Sequence, residues 1–159
     1  MGVPQGRTID EWLHCLESML KIPEIKVIGL SKLSIPIIMQ NELTPARLVL
    51  CNLIKRLYNT EKIEWHCLGG SNLILKELIE QETFIRSMDS SAPFWYGWLL
   101  RKLDVSGVAH FKTKLDFYKM SPDVSRRETI QYNIQLVLEA AHGNRPKHNR
   151  PFYQADQVL

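Results

Sequence analysis

Cysteine is scarce in this 159-residue chain, and the three present, Cys15, Cys51 and Cys67, lie far apart. An odd count without a framework spacing argues against a disulfide scaffold and implies reduced, mostly buried thiols. Long apolar runs are missing too: none approaches the ~18 residues that span a bilayer. The N-terminus MGVPQGRTID has no apolar signal region. Gly2 follows the initiator Met, but Gly6 stands where the myristoylation pattern has Ser or Thr. Neither Gly-Lys-Ser/Thr nor Gly-x-Gly-x-x-Gly occurs, and no carboxylate pair stands out. These absences set the expectation of a chain that neither enters a membrane nor catalyses, that holds no cofactor or metal, and that resides in the cytoplasm, with nucleus and organelle left open.

What is present is ordinary globular composition, 45% hydrophobic and 23% charged, in a length that suits one domain. The net charge of +3 is unevenly spread: residues 1–100 carry 10 Lys/Arg against 11 Asp/Glu, and residues 101–159 carry 10 against 6. The basic character belongs to the C-terminal part.

Helical patterning dominates. Trp12, Leu13, Leu16, Met19 and Leu20 form a first amphipathic segment that stops before Pro23. Residues 25–40 are apolar, with Gly29 and Pro36 inside, and read as two short buried helices, although their β-branching also suits a strand. Thr44 as N-cap and Pro45 at the first turn open a helix carrying Leu48, Cys51, Leu53, Ile54 and Leu57. Thr60 caps a short segment through Trp65, Gly69-Gly70 ends it, and Ser71 caps a long helix with Leu73, Ile74, Leu75, Leu78 and Ile79 inward. Ser87 to Pro93 make a loop. Between 107 and 119 the apolar residues alternate in strand period while Phe111, Leu115 and Tyr118 also fit a helix, so both readings stand. Ser121-Pro122 start a last helix, with a capping-box spacing at Ser125 and Glu128, a stripe of Ile130, Ile134, Val137 and Leu138, and a stop at Gly143. The expected organisation is a single helical domain over 1–143, repeat-like over 9–87 and with C-terminal helices over 93–143, followed by a basic, proline-containing tail over 144–159.

The Gly69-Gly70-Ser71 turn admits a phosphate cradle or a hinge between packed helices. Without an accompanying lysine motif, the turn is the stronger reading: glycines for sharp backbone angles and Ser71 for a cap. The wider stretch 46–80, ARLVLCNLIKRLYNTEKIEWHCLGGSNLILKELIE, resembles an armadillo-type helical repeat. Leu50-Cys51-Asn52-Leu53 matches the end of its first long helix, Gly69-Gly70 its turn, and Leu73, Leu75, Leu78 and Ile79 its last helix. A weaker copy over Gly29 to Gln40 sits about 37 residues earlier, near the ~40–47 of this repeat class. The stretch is also similar to the helical C-terminal region of kinases of the plant mitogen-activated kinase-kinase-kinase epsilon type. The resemblance implies a mostly α fold, a short armadillo-like stack with a strand or hairpin allowed near 107–119. It brings no catalytic residue. Such repeats bury their faces only by stacking, normally in threes, so an atypical cap or a partner chain must cover the open face.

His14-Cys15 and His66-Cys67 offer four metal-type ligands, but adjacent helical residues point about 100° apart and chelate poorly. A Cys67–His66 nucleophile pair fails likewise, and no orienting acid is evident. Phe94-Trp95-Tyr96-Gly97-Trp98 cannot all face inward, so Trp95, Tyr96 and Trp98 are candidate partner-binding anchors. The cations Arg126, Arg127, Arg145, Lys147 and Arg150, with Phe152 and Tyr153, suit an acidic protein or RNA. The leading expectation is a non-catalytic adaptor or scaffold, a subunit of a larger protein complex. A basic ribonucleoprotein subunit using residues 101–159 is the alternative. If 107–119 is a strand, its layout with the helix after it resembles a peptide-clasping HORMA-type module.

Overall fold

The computed structural model describes residues 1–40, 46–108 and 121–143. Helix accounts for about half of them, and a small parallel sheet runs through the middle of the chain, so the architecture is mixed α/β rather than a plain stack of helices. The elements follow as α1 (Ile9–Leu20), β1 (Val27–Ser31), α2 (Ser34–Met39), α3 (Ala46–Leu57), a 3₁₀ turn (Thr60–Lys62), β2 (Glu64–Leu68), α4 (Ile74–Glu80), β3 (Ile85–Met88), α5 (Ala92–Trp98) and α6 (Val124–Gly143).

Helix α1 forms where its signals place it. The Thr8 hydroxyl accepts from Glu11 N–H at 3.2 Å, the Glu11 carboxylate accepts from Arg7 N–H at 2.7 Å, and Trp12 and Leu16, four apart, are buried on one face. The apolar run 25–40 divides differently from the two-helix expectation. Its first half is β1, with Ile28, Gly29 and Leu30 all buried, and only its second half is helix. Pro36 is tolerated because it sits in the first turn of α2, where no intrahelical donor is lost.

Two further expectations are corrected in the same way. The segment after Thr60 is a single 3₁₀ turn capped by the Asn59 side chain, and Trp65 lies in β2, not in a helix. The long helix expected from Ser71 shortens to α4. Ser71 Oγ accepts from Leu73 N–H in a local turn instead of capping the helix, and the chain re-enters the sheet at Ile85. At α6 the cap comes from Asp123, whose carboxylate accepts from Arg126 N–H at 2.8 Å, ahead of the expected Ser125. The strand-or-helix question at 107–119 falls almost wholly on residues 109–120, outside the described ones.

The sheet has the order β1-β2-β3, all parallel, with Val27 opposite Glu64, Gly29 opposite His66 and His66 opposite Ser87, and a bulge between Trp65 and His66. Gly2 adds a parallel bridge to Ile28 on the far side of β1: its N–H donates to Val27 O, and its carbonyl accepts from Gly29 N–H, both at 2.8 Å. Consecutive strands are therefore neighbours, each linked to the next through helix, as parallel pairing requires. Ile28, Leu30, Trp65, Cys67 and Ile85 from the strands share one buried cluster with Trp12, Leu16, Ile35, Leu50, Cys51 and Ile54. That places α1, α2 and α3 on a single face of the sheet. A second cluster joins Ile74, Leu75 and Leu78 of α4 to Tyr96, Leu103 and α6, and Met88 packs against both clusters.

One buried ion pair ties the layers. Arg47 on α3 meets Glu77 on α4 through Nε–Oε1 at 3.1 Å and Nη2–Oε2 at 2.7 Å, with the two side chains 4% and 6% exposed. Its Nη1 donates to the carbonyls of Leu30 and Leu68, at the carboxyl ends of β1 and β2. Burial alone would lower the Arg47 pKa, but the bond to Glu77 and its charge raise it, so the guanidinium stays charged. Beside it, Cys51, Cys67, Gln81 and Met88 help line a cavity of about 10 Å³, room for one water molecule and not for a ligand.

Candidate binding site on the polar face of the sheet

Parallel sheets are normally covered on both faces and read as apolar runs. Here β2, Glu-Trp-His-Cys-Leu, alternates: Trp65 and Cys67 are buried against the helices, and Glu64, His66 and Leu68 are half-buried on the opposite side. Gly29 shares that side, since a β-carbon there would meet the Leu68 and Val3 side chains. The second face is thus small and apolar toward β1 and polar toward β2 and β3. Glu64 pairs with Arg86 across the strands.

His66 is the best-positioned group on this face, 21% exposed. Its Nε2 lies 2.9 Å from Asp89 Oδ1, just past the end of β3, and its Nδ1 lies 2.8 Å from Ser87 Oγ. Asp89 Oδ1 also accepts from Gly69 N–H at 3.1 Å. Burial pushes the Asp89 pKa up, but the donors Gly69 N–H and His66 outweigh it and hold the carboxyl below its usual value. The ionised Asp89 accepts from His66 Nε2–H, and in the neutral ring Nδ1 is then the acceptor for the Ser87 hydroxyl. The order hydroxyl, imidazole, carboxylate is one in which a proton can be taken up or released at a ligand.

The loops at the carboxyl ends complete the site. Lys32 Nζ donates to Gly70 O at 2.8 Å, and its stem lies over Gly69. Among the described residues no carboxylate pairs with it. Gly69 has φ +71, the left-handed turn expected of it. Gly70 is glycine for a different reason: a β-carbon there would collide with Ser90, in the loop after β3. The Gly-Gly-Ser follows a strand, not a helix, so the expected hinge between two packed helices is a strand-to-helix turn, and its second glycine is packed against Ser90.

The residues expected to bind a partner are distributed unevenly. Tyr96 is 4% exposed and belongs to the second cluster, so it is not a surface anchor; that segment exposes Phe94 instead. Trp95 and Trp98 are half-buried. Phe94 stacks on Trp98 at 6.2 Å, and Arg126 lies over the Trp98 ring at 5.3 Å while donating to Trp98 O. Arg127 is exposed and donates to Pro122 O. Arg145, Lys147, Arg150, Phe152 and Tyr153 lie outside the described residues. Trp98 and Arg126 are thus brought together, away from the polar face.

His66, Ser87 and Asp89 were not grouped from sequence. No orienting acid is evident near His66-Cys67 in the sequence because it arrives from the end of the next strand, 23 residues on. The readable signal is Asp89-Ser90-Ser91 straight after a short apolar run, the composition of a strand-to-helix loop. Cys67 faces the opposite side of the sheet and its thiol is pushed up to about 11, chiefly by burial, so it is no nucleophile beside His66. Among the described residues no group of three or more His, Cys, Asp or Glu is placed to hold a metal, and no helix is long and apolar enough to cross a membrane. The chain matches no protein-family model, no curated protein and no solved structure with which it was compared.

Proposed function

We propose that this chain binds a small polar molecule on the polar face of its parallel sheet, at the carboxyl end, with His66 as the central contact. The observation that carries the reading is the imidazole fixed between Asp89 and Ser87 on a face where a parallel sheet is otherwise apolar. Open α/β sheets take ligands outside the carboxyl ends of their strands, and Lys32, Gly69 and Asp89 stand at that edge. On this face Glu64 pairs with Arg86 and the Asp89 carboxylate is bonded by His66 and Gly69, while Lys32 at the edge has no carboxylate partner among the described residues, which favours a polar ligand that presents an acceptor group there. Nucleosides, sugars and amino acids, each titrated while the His66 ring resonances are followed by NMR, test it. One class shifts those resonances, and His66→Gln weakens it at least about tenfold, the loss of roughly one hydrogen bond. A ligand bound equally well by the variant, or no shift with any class, rejects the site.

A second reading keeps the non-catalytic adaptor. It is favoured by α6, where Ile134 and Leu138, expected inward, are 43% and 47% exposed, beside exposed Tyr132. In that reading the exposed side of α6 and the Phe94, Trp98 and Arg126 strip meet a protein. A pull-down that survives nuclease and high salt but is lost in Trp95→Ala/Trp98→Ala supports it. Loss on nuclease treatment supports the ribonucleoprotein alternative.

A further inference from the structure

We infer that Ser87 is a nucleophile activated by His66, and that the polar molecule bound on this face is an ester whose acyl group passes through Ser87. This assignment rests on the ligand reading of the same face and departs from the expectation of a non-catalytic chain. His66 and Ser87 are register partners across β2 and β3, which sets Ser87 Oγ 2.8 Å from Nδ1, while Asp89 Oδ1 lies 2.9 Å from Nε2. A hydroxyl within hydrogen-bond reach of a base, itself oriented by a third group, is the arrangement that activates serine. The third group is fixed in turn, since Asp89 Oδ1 also accepts from Gly69 N–H and Asp89 N–H donates to Cys67 O at 3.3 Å. The bulge between Trp65 and His66 falls where the ring must be aimed, and bulges re-aim the side chain they precede. With the His66 side chain 21% exposed and that of Asp89 61%, a dissolved substrate can reach the group.

The surroundings choose the substrate. Toward β1 lies Gly29 with Leu68 and Val3 over it, an apolar wall for a short acyl chain. Lys32 at the carboxyl edge offers a donor to a polar alcohol portion. Ser87 Oγ bonds to the ester carbonyl carbon while its proton passes to His66 Nδ1, and the Asp89 carboxylate stabilises the imidazolium. The bond from that carbon to the alcohol oxygen breaks, the alcohol leaves with the proton, and acyl-Ser87 remains. Water then bonds to the same carbon, its proton passes through His66 to Ser87 Oγ as the acyl–serine bond breaks, and the free acid departs.

A fluorophosphonate tests this on the whole 159-residue chain, because Ser87 Oγ would displace fluoride from phosphorus and keep the label. One label per chain is expected, mapped to Ser87 by peptide mass spectrometry. Labelling should slow about 100-fold in His66→Gln and at least about tenfold in Asp89→Asn, with partial recovery in Asp89→Glu, and Ser87→Ala should take no label. No label on the parent chain, a label on another residue, or equal rates in the parent and a folded His66→Gln overturns the inference; Asp89→Glu labelling no faster than Asp89→Asn overturns the role given to Asp89. Mapping on the parent needs no variant, so it decides even if a variant fails to fold. The NMR titrations report separately: a ligand that shifts His66 in a chain that takes no label keeps the ligand reading and rejects the nucleophile. A label at Ser87 without a shift from nucleosides, sugars or amino acids keeps the nucleophile and rejects those classes.

Discussion

Arg47 shows how much one residue can hold. Its guanidinium is shared between Glu77 and two strand-end carbonyls, all away from water, so removing the carboxylate alone leaves a buried cation without its counter-charge. Glu77→Gln should cost about 3–5 kcal/mol in urea unfolding, while Arg47→Met combined with Glu77→Met recovers most of it. Asp89 makes a pH-dependent contribution of the opposite kind, at the surface. Its folded pKa lies below that of an unfolded aspartate, near ~3.9, so its stabilisation is complete above that value and is lost as pH falls through the folded one. Asp89→Asn should flatten the acid limb of the midpoint-against-pH curve and leave the region above pH ~5 parallel to the parent. The thiols divide by burial. Cys51 and Cys67, with pKa values raised chiefly by burial, should resist a thiol reagent in the native state, while Cys15, half-buried, reacts; three fast equivalents would contradict the fold.

At the scale of the element, the Gly69-Gly70 turn separates two causes that one dipeptide conceals. Gly69→Ala meets a backbone cost of about 1–2 kcal/mol for a left-handed angle. Gly70→Ala instead forces a β-carbon into Ser90, and so should destabilise further and be relieved in part by Ser90→Gly. Chemical denaturation of the two singles and the 70/90 double checks this; equal costs, with no relief from Ser90→Gly, contradict the packing. The same turn shows what was legible in the sequence and what was not. Helix α1 was readable from the spacing of Trp12, Leu13, Leu16, Met19 and Leu20, which runs unbroken to Pro23, although its Thr8 cap appears only in the structure. Strand β1 was legible only as the alternative that β-branching allows and β2 not at all, since five residues of Val-Ile-Gly-Leu-Ser or Glu-Trp-His-Cys-Leu are too short for period two to outweigh neighbouring helix. The candidate site was hidden for a related reason. His66 and Asp89 meet only once β2 and β3 pair, and that pairing rests on a crossover the sequence disguises as a continuous helix.

At the scale of the whole molecule, the sheet with α1 to α3 and the α4 to α6 group have separate apolar clusters but shared fastenings, namely Met88 and the Arg47–Glu77 pair. A third lock is internal to the helical group. Asn133, fully buried on α6, donates to Pro93 O and Arg101 O and accepts from Leu103 N–H at 2.8 Å, so α6 positions the chain on both sides of α5. Stripe reasoning pointed to Ile134 and missed Asn133, because a satisfied buried amide reads in sequence as a polar surface residue. Asn133→Ala strands three backbone groups, each worth about 1–3 kcal/mol, within the second cluster alone. Where that loss travels reports on the coupling. The four indole N–H resonances divide the molecule: Trp12 and Trp65 lie in the sheet cluster, Trp95 and Trp98 on α5. In urea all four should vanish together in the parent and together, at lower urea, in Asn133→Ala, as for one cooperative unit. Adding Glu77→Gln removes the main bridge, and the α5 indoles should then disappear before those of Trp12 and Trp65. Early loss of the α5 pair in Asn133→Ala alone would show that the buried ion pair does not couple the clusters.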